Sequence, residues 1–255
     1  MNTKADSFNL PIALITFTLK HKVINQLQLY MALKIIYPDG QFIFNRYSRK
    51  KVSQYIGYKT PKTFDNNMKW LIKNKWLTFR KGHCIIKSFK KLHTKYHFHI
   101  QKGVVFIPQW DMPKFRAFLY GAVIKYYMEK KSKQERRSGV KKGCSYMKRN
   151  PVSVSFPSFH TLPNTYLAKI LGISKSSASN YRRIANEAGY IDAKHDYSFY
   201  PSLDNFPRKA KKYIDNSDIN RIRFINNKFC LQNPDKISSD MIIKQKRNLR
   251  YRKFN

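Results

Sequence analysis

The chain has 255 residues, with 51 Lys or Arg against 14 Asp or Glu and a formal net charge of +37. That length supports one large domain or two small ones, and its apolar and aromatic content supplies real cores, which excludes a wholly disordered polycation. Such a charge exceeds what solubility needs and calls for a polyanionic partner, while so few carboxylates supply acid–base or two-metal chemistry poorly.

In chain order, residues 1–20 read as an N-terminal arm. The apolar run Leu10–Leu19 is broken by Pro11 and Thr16 and is too short to span a bilayer. Asp6 precedes it and no small-residue cleavage site follows, so no secretory leader is expected. A first domain is expected over 21–88. Ile24–Ile36 reads as a helix with Leu27, Tyr30, Met31 and Leu33 on its apolar side. Pro38-Asp39-Gly40 is a turn signal and Gln41–Phe44 a short strand. Ser48 is placed to cap a helix Arg49–Ile56 that stops at Gly57. Thr60 caps the next helix, with Pro61 at its first position and Phe64, Met68, Leu71 and Ile72 as its buried stripe. Trp76–Phe79 and Cys84–Ile86 flank Arg80-Lys81-Gly82-His83 as a hairpin.

Residues 89–113 read as a connector with some strand. A second domain is expected over 114–203. Phe115–Met128 carries Phe115, Phe118, Leu119, Ala122, Val123 and Tyr126 at helical spacing. Residues 129–150 read as a basic exposed loop, and Val152–Phe156 alternates as a strand. Leu162–Ile184 reads as two helices around the turn Gly172-Ile173-Ser174, closing at Ala188-Gly189. Tyr190-Ile191 opens an extended segment with Asp196–Tyr200 as its returning partner. Residues 204–255 read as a solvated basic tail able to hold phosphates. Cys84, Cys144 and Cys230 are odd in number and scattered, which fits a reducing compartment rather than a disulfide framework.

The two domains share a pattern. Val52, Ile56, Gly57 and Tyr58 match Leu167, Leu171, Gly172 and Ile173, and Trp76-Leu77 matches Tyr190-Ile191 after a one-residue slip. Two copies are too few for a solenoid. On Leu167-Ala168, Gly172-Ile173-Ser174, Ala178 and Tyr181, the second unit resembles the winged helix-turn-helix domains of bacterial and phage DNA-binding proteins. Two such units with a basic tail look like plasmid or phage replication initiators and related mobile-element regulators, by architectural analogy.

The resemblance implies a mainly α chain with small β wings, an α+β fold of two winged helix-turn-helix domains. It implies a non-enzymatic, sequence-specific double-stranded DNA-binding protein of a phage, plasmid or other mobile element, acting in replication initiation or transcription regulation. No cofactor, metal or membrane partner is expected. A homodimer, or partner replication or transcription proteins, fit the same reading. The expected location is the cytoplasm, with the nucleoid, or inside a virion.

In the second recognition helix Ala178, Tyr181, Ala185 and Ala188 should pack inward. Ser176, Ser179, Asn180 and Arg183 are the candidates for base edges, since Arg grips guanine and Asn adenine bidentately. Lys175 and Arg182 are expected on phosphates, as is the helix start at Ser174. In the first unit Lys62, Thr63, Asn66, Asn67 and Lys69 form the corresponding outward set, and Trp70 is expected to pack. The wing candidates are Arg80, Lys81 and His83, with Lys194 and His195 in the second unit.

One competing reading is non-specific nucleic-acid packaging, and RNA binding is also open. Another is catalytic. His97-Phe98-His99 on a strand would put both imidazoles on one face, resembling the metal site of rolling-circle nucleases and relaxases. Tyr127-Met128-Glu129-Lys130 resembles their tyrosine nucleophile motif. The connector is too short for the sheet such a nuclease needs, and Tyr127 falls in a helix the second core requires. Cys84 with His93, His97 and His99 makes only a weak zinc set.

Overall fold

The computed structural model describes residues 7–97, 102–141, 160–205, 222–225 and 227–245. Strand β1 (Phe8–Pro11) runs directly into helix α1 (Ile12–Lys20), which buries Leu14, Ile15 and Leu19. Helix α2 (Ile24–Ile36) spans the expected residues and is buried along Leu27, Leu29, Tyr30 and Leu33. Strand β2 (Gln41–Ile43) leads to α3 (Arg46–Ile56).

Helix α3 starts earlier than its serine suggests. Asn45 is the N-cap: its side chain accepts the Ser48 N–H at 2.9 Å, and the Ser48 hydroxyl accepts the Asn45 N–H at 3.0 Å. Ser48 is thus the return half of a capping box. The helix ends at Gly57 with φ +78°, the left-handed conformation glycine adopts without strain. Helix α4 (Pro61–Lys73) follows, with Thr60 as N-cap and Pro61 at its first position. Strands β3 (Leu77–Arg80) and β4 (His83–Ile86) close a two-residue hairpin through Lys81 and Gly82. Both have positive φ, which matches the turn to the strand twist.

Helix α5 (Phe89–Tyr96), strand β5 (Lys102–Phe106) and the single turn α6 (Pro108–Asp111) lead into the long α7 (Phe115–Lys141). Strand β6 (His160–Thr161), α8 (Asn164–Leu171), α9 (Lys175–Glu187) and β7 (Asp192–Tyr200) come next. Strands β8 (Ile222–Ile225), β9 (Lys228–Ser238) and β10 (Ile243–Gln245) finish the described chain.

Helices and small antiparallel sheets make this a mixed α+β fold. One sheet has the order β2–β4–β3. Another has the order β6–β9–β7, with β8 also paired to β9. The third is β1–β5–β10. A continuous apolar core runs from Tyr30, Phe64 and Trp76 through Phe106 and Phe118 to Leu171 and Ala185. No described helix is long and apolar enough to cross a membrane.

Four expectations change. The arm is structured from Phe8 onward, because its apolar run supplies α1 to the core. The loop expected from residue 129 is helix to Lys141; Lys, Glu, Gln and Arg are good helix formers, and reading charge as loop ignored that. The hairpin expected within 190–200 is one strand with a bulge between Lys194 and Asp196, and its partner is β9, drawn from the supposed tail. The connector has the strand expected of it, β5, but also holds the helix α5. The strand expected over Val152–Phe156 and the tail beyond Gln245 lie outside the described residues.

Candidate nucleic-acid interface

Two stretches of chain repeat one local design. The first helices of the pair, α3 and α8, each stop at a left-handed glycine, Gly57 (φ +78°) and Gly172 (φ +65°). The N–H after each glycine returns to a carbonyl one turn back, Tyr58 to Ser53 at 3.0 Å and Ile173 to Ala168 at 3.1 Å. The turns differ by one residue, Tyr58-Lys59-Thr60 against Ile173-Ser174. The second helices, α4 and α9, are both 13 residues long. Each is followed by a left-handed residue, Lys75 or Gly189, and by an aromatic N–H that closes the end: Trp76 to the Leu71 carbonyl at 2.8 Å and Tyr190 to that of Ala185 at 3.0 Å.

This equivalence sorts the faces of α4 and α9. Phe64, Asn67, Met68 and Leu71 point inward in α4, where Ala178, Tyr181, Arg182 and Ala185 stand in α9. Tyr181 stacks on Tyr120 with ring centroids 3.9 Å apart, bringing α9 against α7. Outward, Asn66 corresponds to Asn180 and Lys69 to Arg183, and all four are exposed.

Most predicted residues lie on these outer faces. Lys62, Thr63, Asn66 and Lys69 are exposed on α4, with the Thr63 hydroxyl 2.9 Å from that of Thr60. Lys175, Ser176, Ser179, Asn180 and Arg183 are exposed on α9. Ser174 is its N-cap and accepts the Ser177 N–H at 3.1 Å. Arg183 reaches Glu187 at 2.6 Å and Asn180 at 2.9 Å, so its guanidinium is held along the outer face. Arg80 and Lys81 are exposed at the β3–β4 hairpin, with His83 opposite Arg80. Lys194 and His195 lie within β7 rather than at a turn; Lys194 pairs with Asp192 at 3.4 Å, and His195 Nδ1 lies 2.9 Å from Asp235. Trp70 packs edge-on against Trp76, centroids 5.5 Å apart.

Two predicted contacts are corrected. Asn67 is only 5% exposed, and its amide donates to the Tyr58 hydroxyl at 3.1 Å; that hydroxyl donates to the Asn25 carbonyl at 3.2 Å. Asn67 therefore braces the turn between α3 and α4 against α2. Arg182 is 6% exposed, donates to the Leu162 carbonyl, and pairs with Asp235 of β9 at 2.7 Å. Burial pulls its guanidinium below its ordinary value and the Asp235 carboxylate offsets this. It anchors the helix and is not available to phosphate. Both corrections were legible, since aligning the two helices puts Arg182 in the place of Met68 and Asn67 in that of Tyr181.

A basic groove was missed. Arg46, Arg49, Lys50 and Lys59 line a cleft of about 580 Å³ with Ser53, Gln54, Thr60 and the backbone of Gly57. Arg49 pairs with Asp65 of α4 at 2.5 Å. The signal was the spacing of Arg46, Arg49 and Lys50, which places three cations along one side of α3. The equivalent positions of the second unit are Thr161, Asn164 and Thr165, so it has no cation at these three places.

Of the nuclease pattern, only part lies within the described residues. His97 sits in a left-handed cap (φ +52°) ending α5, not on a strand, and His99 lies outside the described residues. Burial raises the Tyr127 hydroxyl above its usual range, which opposes a tyrosinate nucleophile. Burial likewise pushes the Cys84 thiol up to about 11. Among the described residues no three His, Cys, Asp or Glu side chains are grouped to hold a metal ion.

Comparison with known proteins returns no match: no family model, no curated sequence and no solved structure is similar to this chain.

Proposed function

We propose that this chain is a sequence-specific double-stranded DNA-binding protein with two winged helix-turn-helix units, acting in replication initiation or transcription control of a phage, plasmid or other mobile element. The observation that carries the reading is the shared order of parts. The elements α2–β2–α3–α4–β3–β4 and α7–β6–α8–α9–β7–β9 come in the same sense, with sheet orders β2–β4–β3 and β6–β9–β7, although in the second unit β8 comes between β7 and β9 and also pairs with β9. In such a unit the second helix of the pair lies in the major groove and the strand pair reaches the flanking backbone. The exposed Asn66, Lys69, Asn180 and Arg183 are side chains suited to base edges. The basic groove on α3 and the net charge of +37 supply the phosphate grip. Two units in one chain make the second engagement intramolecular, so one molecule suffices for a bipartite site.

Selection of binding sites from a random duplex library at physiological salt tests this. A reproducible two-part motif is the expected result, and its genomic position separates an origin from a promoter. Uniform enrichment without a motif overturns the reading in favour of nucleic-acid packaging.

A further inference from the structure

The third sheet joins parts of the chain that are far apart in sequence. Its central strand, β5, lies in the segment between the two units. One edge is taken by β1 from the start of the chain, in the register Phe8↔Phe106 to Pro11↔Gly103. The other is taken by β10 from its end, in the register Ile243↔Val104 to Gln245↔Lys102. The Val105 N–H donates to the Ile242 carbonyl at 3.0 Å. At Gly103 the Asn9 side chain of β1 lies over the space that a Cβ would fill.

The sheet is tied to both units. Helix α1, continuous with β1, packs on α2 of the first unit and on α7 and α8 of the second. Phe17 of α1 meets the Tyr96 ring at 4.9 Å, and the Tyr96 hydroxyl accepts the Trp76 indole N–H at 3.0 Å. Arg116 of α7 donates to the Asn25 side chain of α2 at 3.1 Å. Just before β10, the Ser239 carbonyl accepts from Lys125 of α7 at 2.7 Å, and the Ser239 hydroxyl donates to the Tyr190 carbonyl beyond α9 at 2.7 Å. The Tyr190 hydroxyl in turn donates to Asp111 at 2.9 Å, whose other oxygen accepts the Ile107 N–H at 2.6 Å. A flexible linker has none of these features: its backbone is solvated and its neighbours are free to turn.

We infer that the β1–β5–β10 sheet is a staple that fixes the distance and rotation between α4 and α9, so that the protein accepts a bipartite duplex of one spacing only. The inference rests on the DNA-binding reading above. Because B-DNA turns once in about 10–10.5 base pairs, each added base pair rotates one half-site by roughly 35° relative to the other. A rigid pair of heads cannot follow that rotation, whereas two heads on a flexible tether can.

The test uses the full-length protein and duplex probes that carry the two selected half-sites with spacers shortened or lengthened one base pair at a time. Single half-site probes are the controls. The expected profile is a single sharp maximum, with affinity falling at least tenfold one or two base pairs away, toward that of one half-site. A flat profile with each half-site still recognised overturns the staple and leaves the DNA-binding reading standing. Failure to recognise either half-site over random duplex overturns both. Ile243→Pro interrupts β10 while keeping every basic residue after it. Its profile should broaden while single half-site affinity stays within about twofold; a profile as sharp as that of the parent chain counts against β10 as part of the staple. The full-length profile decides the question alone if that variant does not fold.

Discussion

The two units share a topology but close it differently. The first is local: β2, β3 and β4 all come from Gln41–Ile86, and the face of α4 toward the core is built around Phe64, Met68 and Leu71. The second is not. Its sheet waits for β9, beyond β7 and β8, and the place of Met68 is taken by Arg182, which needs Asp235 of that distant strand. One architecture can thus be held by apolar burial within a short stretch, or by a desolvated ion pair between remote ones. The second solution makes the pose of α9 depend on residues far along the chain and raises the loop-closure cost of forming it.

The largest expected difference between the units is at that ion pair. Arg182→Ala leaves Asp235 beneath the helix with only His195 beside it and should lower unfolding free energy by about 3 kcal/mol, read by urea denaturation. Arg182→Met combined with Asp235→Asn, which imitates the first unit, should recover most of it. Equal losses in the single and double variants would remove the ion pair from the account.

The outward faces predict the next effect. Arg183→Ala and Lys69→Ala occupy equivalent exposed positions, so neither should change stability. Each should lose discrimination at one base position, in opposite half-sites, by about 1–3 kcal/mol where the contact is bidentate. Binding-site selection with both variants reads this; losses in the same half-site would break the equivalence.

Gly57→Ala and Gly172→Ala sharpen the shared part. Both glycines have positive φ and nothing within 4 Å of the Cβ that alanine would add. The cost is therefore backbone conformation alone, about 1 kcal/mol in each unit and nearly equal in thermal or urea unfolding.

The smallest effect concerns phosphate. Arg46→Ala or Lys50→Ala should weaken binding to all sequences alike and reduce the salt slope by about 1 each. Thr165→Ala in the second unit should leave the slope unchanged. A salt titration of duplex affinity compares them.

Several elements were legible before the fold. Helix α2, the stop at Gly57, Pro61 at the start of α4, the β3–β4 hairpin and the stop at Gly172 each follow from local chemistry: apolar spacing, a cap, a fixed φ or a positive one. The outer faces of α4 and α9 follow from helical period, and the same period marks Asn67 and Arg182 as inward once the two helices are aligned. Composition alone raised the expectation of a polyanionic partner, because a net charge of +37 repels itself in a compact chain.

Other features belong to the tertiary structure alone. Nothing near Arg182 in sequence marks Asp235 as its partner, since a strand recruits its neighbour through backbone hydrogen bonds that carry little sequence signature. For the same reason the pairing of β1, β5 and β10 could not be read from residues spread between Phe8 and Gln245. Local rules decide what each segment becomes. Which segments meet is decided by the burial of apolar faces and the pairing of strand edges over the whole chain, and that is where this protein joins its two units into one body.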